Sequence, residues 1–138
     1  MEINEVSGHV VDAAIRVHTD LGPGLLESAY VSFLSVQLRK RGLRIAHEVP
    51  ISVTYEGVEV HNGYRIDLLV QDRVVVELKA VKRLLPVHEA QLLSYLRLGH
   101  FNVGLLINFH ELHLRDGIKR VVSRYTGSAP SAPPRPPR

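Results

Sequence analysis

Residues 63–80, GYRIDLLVQDRVVVELKA, hold two strongly apolar runs around Gln71-Asp72, which predicts a β-hairpin. The runs nevertheless carry Asp67, Glu77 and Lys79. Glu77 and Lys79 stand two apart, so on a strand both side chains leave from one face. A carboxylate and an ammonium within an apolar strand are costly unless they are paired or bind something. The turn decides which groups can meet. A two-residue turn at Gln71-Asp72 sets Asp67 opposite Val76 and sends the two carboxylates to opposite faces. A loop centred on Asp72 sets Asp67 opposite Glu77 and brings them together. We expect the second register.

Two adjacent carboxylates repel and raise each other's pKa. A divalent cation removes that cost, and carboxylate, carbonyl and water ligands suit Mg2+ or Mn2+. Lys79 on the same face would orient a water or stabilise developing negative charge. Such a set supports metal-assisted phosphodiester hydrolysis. The simpler account of so loose a pattern is an ion pair, Glu77–Lys79 or Asp67–Lys79, on a half-exposed sheet.

Glu27 adds weight to the first account. At helical spacing Glu27, Val31, Leu34 and Leu38 share a face, which sets a carboxylate in an apolar stripe beside Tyr30. It needs a cation there, either an arginine such as Arg65 or the same metal. Further on, His88, Gln91 and Tyr95 lie at i, i+3 and i+7 of an expected helix. Gln91 and Tyr95 could hydrogen-bond a scissile phosphate or a base, and His88 could contact phosphate. A polar face turned to solvent is the other reading. His110 and His113 show no metal spacing and read as surface groups.

Helical periodicity predicts helices over roughly 4–20 and 25–41, separated by Leu21-Gly-Pro-Gly24. Strands are expected over 44–55, 58–61, 63–70 and 73–80. A third helix over 87–98 and an apolar strand from Val103 to Ile107 follow, with a closing segment at 118–122. This is a mixed α/β order, with helices packed against a central sheet. The chain's 138 residues suit one domain, 1–124, and the Pro- and Arg-rich stretch 125–138 reads as a flexible tail. No apolar run approaches bilayer-spanning length and the start lacks a secretory pattern, so a cytoplasmic protein without membrane partners is expected. The absence of cysteine excludes disulfides, a thiol nucleophile and a thiolate zinc site. The formal +3 charge comes from Arg124, Arg135 and Arg138, leaving positions 1–123 neutral. Any attraction to a polyanion must be local, at Arg39, Lys40, Arg41 and Arg44 or at Lys82 and Arg83.

Several blocks together resemble a known family. Gly24-Leu-Leu-Glu27-Ser-Ala-Tyr30 matches the motif that names the GxxExxY family. Gly63-Tyr-Arg-Ile-Asp67, Val76-Glu77-Leu-Lys79-Ala80 and Pro86-Val-His-Glu-Ala-Gln91-Leu-Leu-Ser-Tyr95 follow in order, then Gly104-Leu-Leu-Ile-Asn108-Phe and Asp116-Gly-Ile-Lys-Arg120. That family is similar to the PD-(D/E)XK nuclease superfamily. The resemblance implies a restriction-endonuclease-like αβββαβ core, here with an extra N-terminal helix. It implies that Asp67, Glu77 and the Leu78 carbonyl hold a metal. Lys79 would be the catalytic lysine and Glu27 the additional helix carboxylate. Gln91 and Tyr95 match a Gln-x-x-x-Tyr element. Ile66, not proline, precedes Asp67, and no chemistry requires proline there.

The expected activity is Mg2+- or Mn2+-dependent cleavage of DNA, ahead of RNA. Glu27, Asp67, Glu77 and Lys79 would be catalytic, Glu27, Asp67, Glu77 and the Leu78 carbonyl would hold the metal, and Gln91, Tyr95, His88 and Tyr30 would bind substrate. The rival expectation is a catalytically silent nuclease-like fold used for nucleic-acid binding or oligomeric assembly. The small, neutral body motivates it, and the edge strand 44–55 would be the contact of a homo-oligomer.

Overall fold

A computed structural model describes residues 1–61 and 63–124. The tail read at 125–138 lies outside the described residues. Helix α1 (Ile3–Leu21) buries Val6, Val10, Ala13, Ala14 and Val17 along one stripe. It stops at Gly22, whose φ of 75° is cheap only for glycine. Helix α2 (Glu27–Lys40) buries Tyr30, Leu34 and Leu38. It starts at Glu27 rather than 25, because Leu26 is extended at φ −71° and ψ 150°, and the Leu25 N–H is held by the Tyr30 hydroxyl.

Seven strands and one more helix follow: β1 (Ile45–Pro50), β2 (Val53–Tyr55), β3 (Val58–Val60), β4 (Arg65–Val70), β5 (Val74–Lys79), α3 (Pro86–Gly99), β6 (Val103–Asn108) and β7 (Ile118–Val122). A 3-10 turn, Leu114–Gly117, precedes β7. The central sheet runs β1-β4-β5-β6-β7. Within it β5 and β6 are parallel and the other neighbours antiparallel, so α3 is the crossover that parallel pairing demands. Helices α1 and α2 cover one face, packing on Leu68, Val70, Val76, Leu78, Leu105 and Ile107. Helix α3 covers the other through Leu92, Tyr95 and Leu96 against Leu69, Val75 and Leu106. Strand β6, between the two layers, is buried at every residue. Gly104 on β6 permits this approach: a Cβ there would stand 2.9 Å from a Leu92 methyl carbon. The result is the expected mixed α/β architecture with a restriction-endonuclease-like arrangement.

The expected strand 44–55 is corrected to two. Strand β1 pairs with β4 at the edge of the central sheet, whereas β2 pairs only with β3 in a separate hairpin. Pro50 cannot donate to a ladder, and the next residue, Ile51, turns into the core beside α3. Its N–H donates to the Tyr64 carbonyl at 2.9 Å.

The β4–β5 register is the one expected. Leu68, Leu69 and Val70 face Val76, Val75 and Val74, which centres the loop on Asp72. The turn itself is tighter than that register suggests. Gln71 and Asp72 both have φ of 54°, and the Arg73 N–H donates to the Val70 carbonyl at 3.0 Å. Positive φ at both central residues is the requirement of a two-residue hairpin turn. Arg73 is then an extra residue, a bulge that moves the pairing by one and sets Asp67 against Glu77.

Candidate active site

The site begins where the β4–β5 ladder stops. Its last pair is Leu68 with Val76. Beyond that point β4 continues against β1 alone, through Ile66–Val49 and Arg65–Pro50. Strand β5 continues against β6 alone, through Glu77–Leu106 to Lys79–Asn108. The strands part into a fork, and the N–H groups on its inner edges need other acceptors. The two carboxylates supply them. Glu77 Oε1 accepts the Asp67 N–H at 3.1 Å, and Asp67 Oδ2 accepts the Leu78 N–H at 2.9 Å. Each acid is pinned to the other's strand, and both occupy the fork.

Burial sets the electrostatics. Glu77 is only 6% exposed. Desolvation, reinforced by the charge of Asp67, pushes its pKa from 4.5 up to about 8. Asp67 is raised by burial too, against the opposing pull of the Leu78 N–H and Lys79. Glu27 is raised for the same first reason, offset by Lys79 and reinforced by Asp67. Lys79 therefore acts on all three acids. Yet among the described residues no carboxylate oxygen lies within the 4.0 Å ion-pair distance of its ammonium. Arg65, the arginine weighed as a partner for Glu27, is exposed and likewise forms no ion pair among the described residues. Three acids share one nearby ammonium that salt-bridges none of them.

Glu27 is the first residue of α2 and faces a cleft of about 650 Å³ that Asp67 also lines. Among the described residues, no three His, Cys, Asp or Glu side chains close on one point as a metal cage. The donor set still fits a hard cation. Asp67 and Glu77 each keep one oxygen that is not committed to a backbone N–H. Mg2+ is ordinarily held by one or two carboxylates and several waters, not by an all-protein cage.

The sequence model of the PD-(D/E)XK nuclease superfamily matches residues 4–121. The chain belongs to that superfamily. No curated protein and no solved structure matches it. Membership supports a nuclease-type function acting on nucleic acid, and nucleases of this superfamily generally use divalent metals. No helix among the described residues is long and apolar enough to cross a membrane.

Within this nuclease fold the other expected site residues fall into different places. Tyr30 is a correction: it is fully buried and does not face substrate. Its ring stacks on Phe109 with centroids 4.3 Å apart. Its hydroxyl donates to the Gly22 carbonyl and accepts the Leu25 N–H at 3.0 Å. Tyr30 thus ties down the loop that aims Glu27, which explains a tyrosine three residues after the acid. His88 caps α3: its Nδ1 accepts the Leu85 N–H at 2.9 Å. That bond leaves Nε2 as the ring nitrogen that meets anything else. His88 is also near enough to Glu27 to act on its carboxyl, so the cap lies beside the site. Gln91 is exposed and donates from Nε2 to the Tyr95 hydroxyl at 3.0 Å. Tyr95 is buried, and Glu77 is among the groups that raise its pKa, after burial.

Sequence reasoning missed Glu48. It sits on β1 with φ of 46° and lines the same cleft as Glu27 and Asp67. Its charge raises the Asp67 pKa. The available signal was an acid inside the expected strand 44–55. Placing it beside Asp67 required the β1–β4 pairing, which joins distant segments.

Proposed function

We propose that the protein is a Mg2+- or Mn2+-dependent nuclease of the GxxExxY branch that hydrolyses phosphodiester bonds in DNA. The observation that carries this reading is the fork. A fold has no structural need to replace a ladder by a buried and a half-buried acid, the buried one with its pKa pushed up to about 8. Such a pair is stable in ionised form only with a dication beside it. When bound, the metal supplies charge neutralisation at the phosphate and a more acidic water.

The remaining roles belong to the chain. Asp67, Glu77 and the Leu78 carbonyl would hold the metal, with Glu27 as the additional helix carboxylate beside it. Lys79, bound to no single acid, is free to meet the attacking water or the charge that develops on the phosphate. His88 presents Nε2, and Gln91 and Tyr95 bind substrate on the α3 side. DNA is the expected polymer ahead of RNA, and the cytoplasm the expected compartment. A second copy docking along edge strand β1 would extend a small binding surface.

A second reading is a nuclease-like fold that binds or assembles without cleaving, favoured by the absence of a closed three-donor cage among the described residues. Incubation of plasmid and linear DNA with the protein and Mn2+ separates them. Cleavage is expected, with Asp67→Ala, Glu77→Ala and Lys79→Ala each lowering it at least about a hundredfold. Wild-type rates in all three variants would overturn the mechanism. Calorimetry showing no Mn2+ binding at millimolar metal would favour the silent fold.

A further inference from the structure

The fork has a second flank. On the α3 side a separate cleft of about 440 Å³ is lined by Tyr55, Tyr64 and Tyr95, with Thr54, Gln91 and Ser94 among its polar groups. Tyr64 and Tyr95 meet edge to face, centroids 6.5 Å apart at 70°. Tyr55 is 59% exposed and Tyr64 42%. One wall is the β2–β3 hairpin, which belongs to neither the central sheet nor either buried core. Val58 and Val60 on that hairpin are exposed as well. Core packing therefore does not account for the hairpin, whereas a wall beside the fork does.

The lining also states what fits. No cationic or anionic side chain is among the cleft's lining residues, so a phosphate gains nothing there. Aromatic faces with neutral donors and acceptors at the rim suit a flat, uncharged, hydrogen-bonding ring. The cleft adjoins the candidate active site at Tyr95, which lines it and lies close enough to Glu77 and Asp67 for their charges to act on its hydroxyl.

Resting on the nuclease reading, we propose that this cleft is a base-binding subsite. An unpaired nucleobase next to the scissile phosphate stacks on Tyr55 and Tyr64, with Gln91 and Ser94 at its edge. The substrate is then a single strand or a frayed end. A base within intact duplex cannot enter such a cleft without first leaving its stack.

The test uses a short oligodeoxynucleotide carrying 2-aminopurine, whose fluorescence is read cleanly because the chain has no tryptophan. The full chain with Lys79→Ala, in Mn2+, limits cleavage during titration. Binding is expected to quench the single-stranded probe. Adding Tyr55→Ala or Tyr64→Ala should weaken affinity about tenfold, and Tyr55→Phe should retain it. The same sequence as a blunt duplex should bind at least about tenfold more weakly. Tyr55 is exposed, so its variants are expected to keep the wild-type melting temperature, which circular dichroism checks. Equal affinity for single strand and duplex, together with no loss in Tyr55→Ala and Tyr64→Ala, overturns the subsite. Cleavage by the wild-type chain with neither strand preference nor tyrosine dependence sinks the subsite and leaves the nuclease reading intact. Tyrosine-dependent quenching without any cleavage does the reverse.

Discussion

The Asp67 N–H donates to Glu77 Oε1 one residue beyond the last β4–β5 ladder pair, and the Asp67 carboxylate takes the Leu78 N–H in return. Both bonds need only an acceptor oxygen, which an amide also offers. Glu77→Gln is therefore expected to fold with unchanged circular dichroism, and to lose at least about a hundredfold in Mn2+-dependent cleavage. Glu77→Ala lacks that oxygen, leaves the half-buried Asp67 N–H unpaired and should cost about 1–3 kcal/mol of stability in urea. A Glu77→Gln chain as active as wild type would remove Glu77 from the metal site.

The pKa of Glu77 carries a sign. Raised from 4.5 in the unfolded chain to about 8 in the fold, it makes the neutral acid the form the fold prefers. Its stabilising contribution is complete below pH 4.5 and is lost as pH rises through about 8. Asp67 and Glu27 are raised as well, so their contributions have the same sign. In chelator, melting temperature should fall from pH 5 to pH 9, and Glu77→Gln should flatten much of that slope. Metal competes with the proton, so the rise in melting temperature on adding Mn2+ should be larger at pH 8 than at pH 6. A metal effect independent of pH would place the ion elsewhere.

Tyr30→Phe separates aim from chemistry. The ring keeps its stack on Phe109, but the Gly22 carbonyl and Leu25 N–H lose the hydroxyl between them. Stability should drop by about 1–3 kcal/mol. Cleavage should fall roughly tenfold because Glu27 begins two residues after Leu25, on a loop no longer pinned. Mn2+ affinity, set by Asp67 and Glu77, should change less than twofold by calorimetry. Unchanged cleavage would show that Glu27 needs no such positioning.

Much of the fork could be read from local sequence, because a hairpin is a short-range object. The apolar runs gave two strands, and only the register needed choosing. The bulge at Arg73 that realises it was not legible, since nothing in Gln71-Asp72-Arg73 demands positive φ as Asn-Gly would. Tyr30 was misread for a different reason. Helical spacing placed it near Glu27, but its hydroxyl acts back on the loop that precedes the helix, and periodicity does not encode loops. The break after Pro50 was signalled by the proline, which the expected strand 44–55 ran through. Glu48 was beyond reach because its meaning depends on a strand pairing across the intervening hairpin.

Glu48 supplies the last prediction. It lines the cleft with Glu27 and Asp67 and adds negative potential there, but it is exposed and holds no backbone N–H of the fork. Glu48→Gln should leave stability nearly unchanged. By removing one charge beside the metal position it should weaken Mn2+ binding by roughly three- to tenfold at low ionic strength. The loss should shrink as salt is added, because a solvent-facing charge is screened. At saturating metal the variant should cleave at close to the wild-type rate, unlike Asp67 or Glu77 variants. Calorimetry at two salt concentrations and cleavage across a Mn2+ series test both halves. An unchanged affinity at low salt would show that Glu48 lines the cleft without contributing to it.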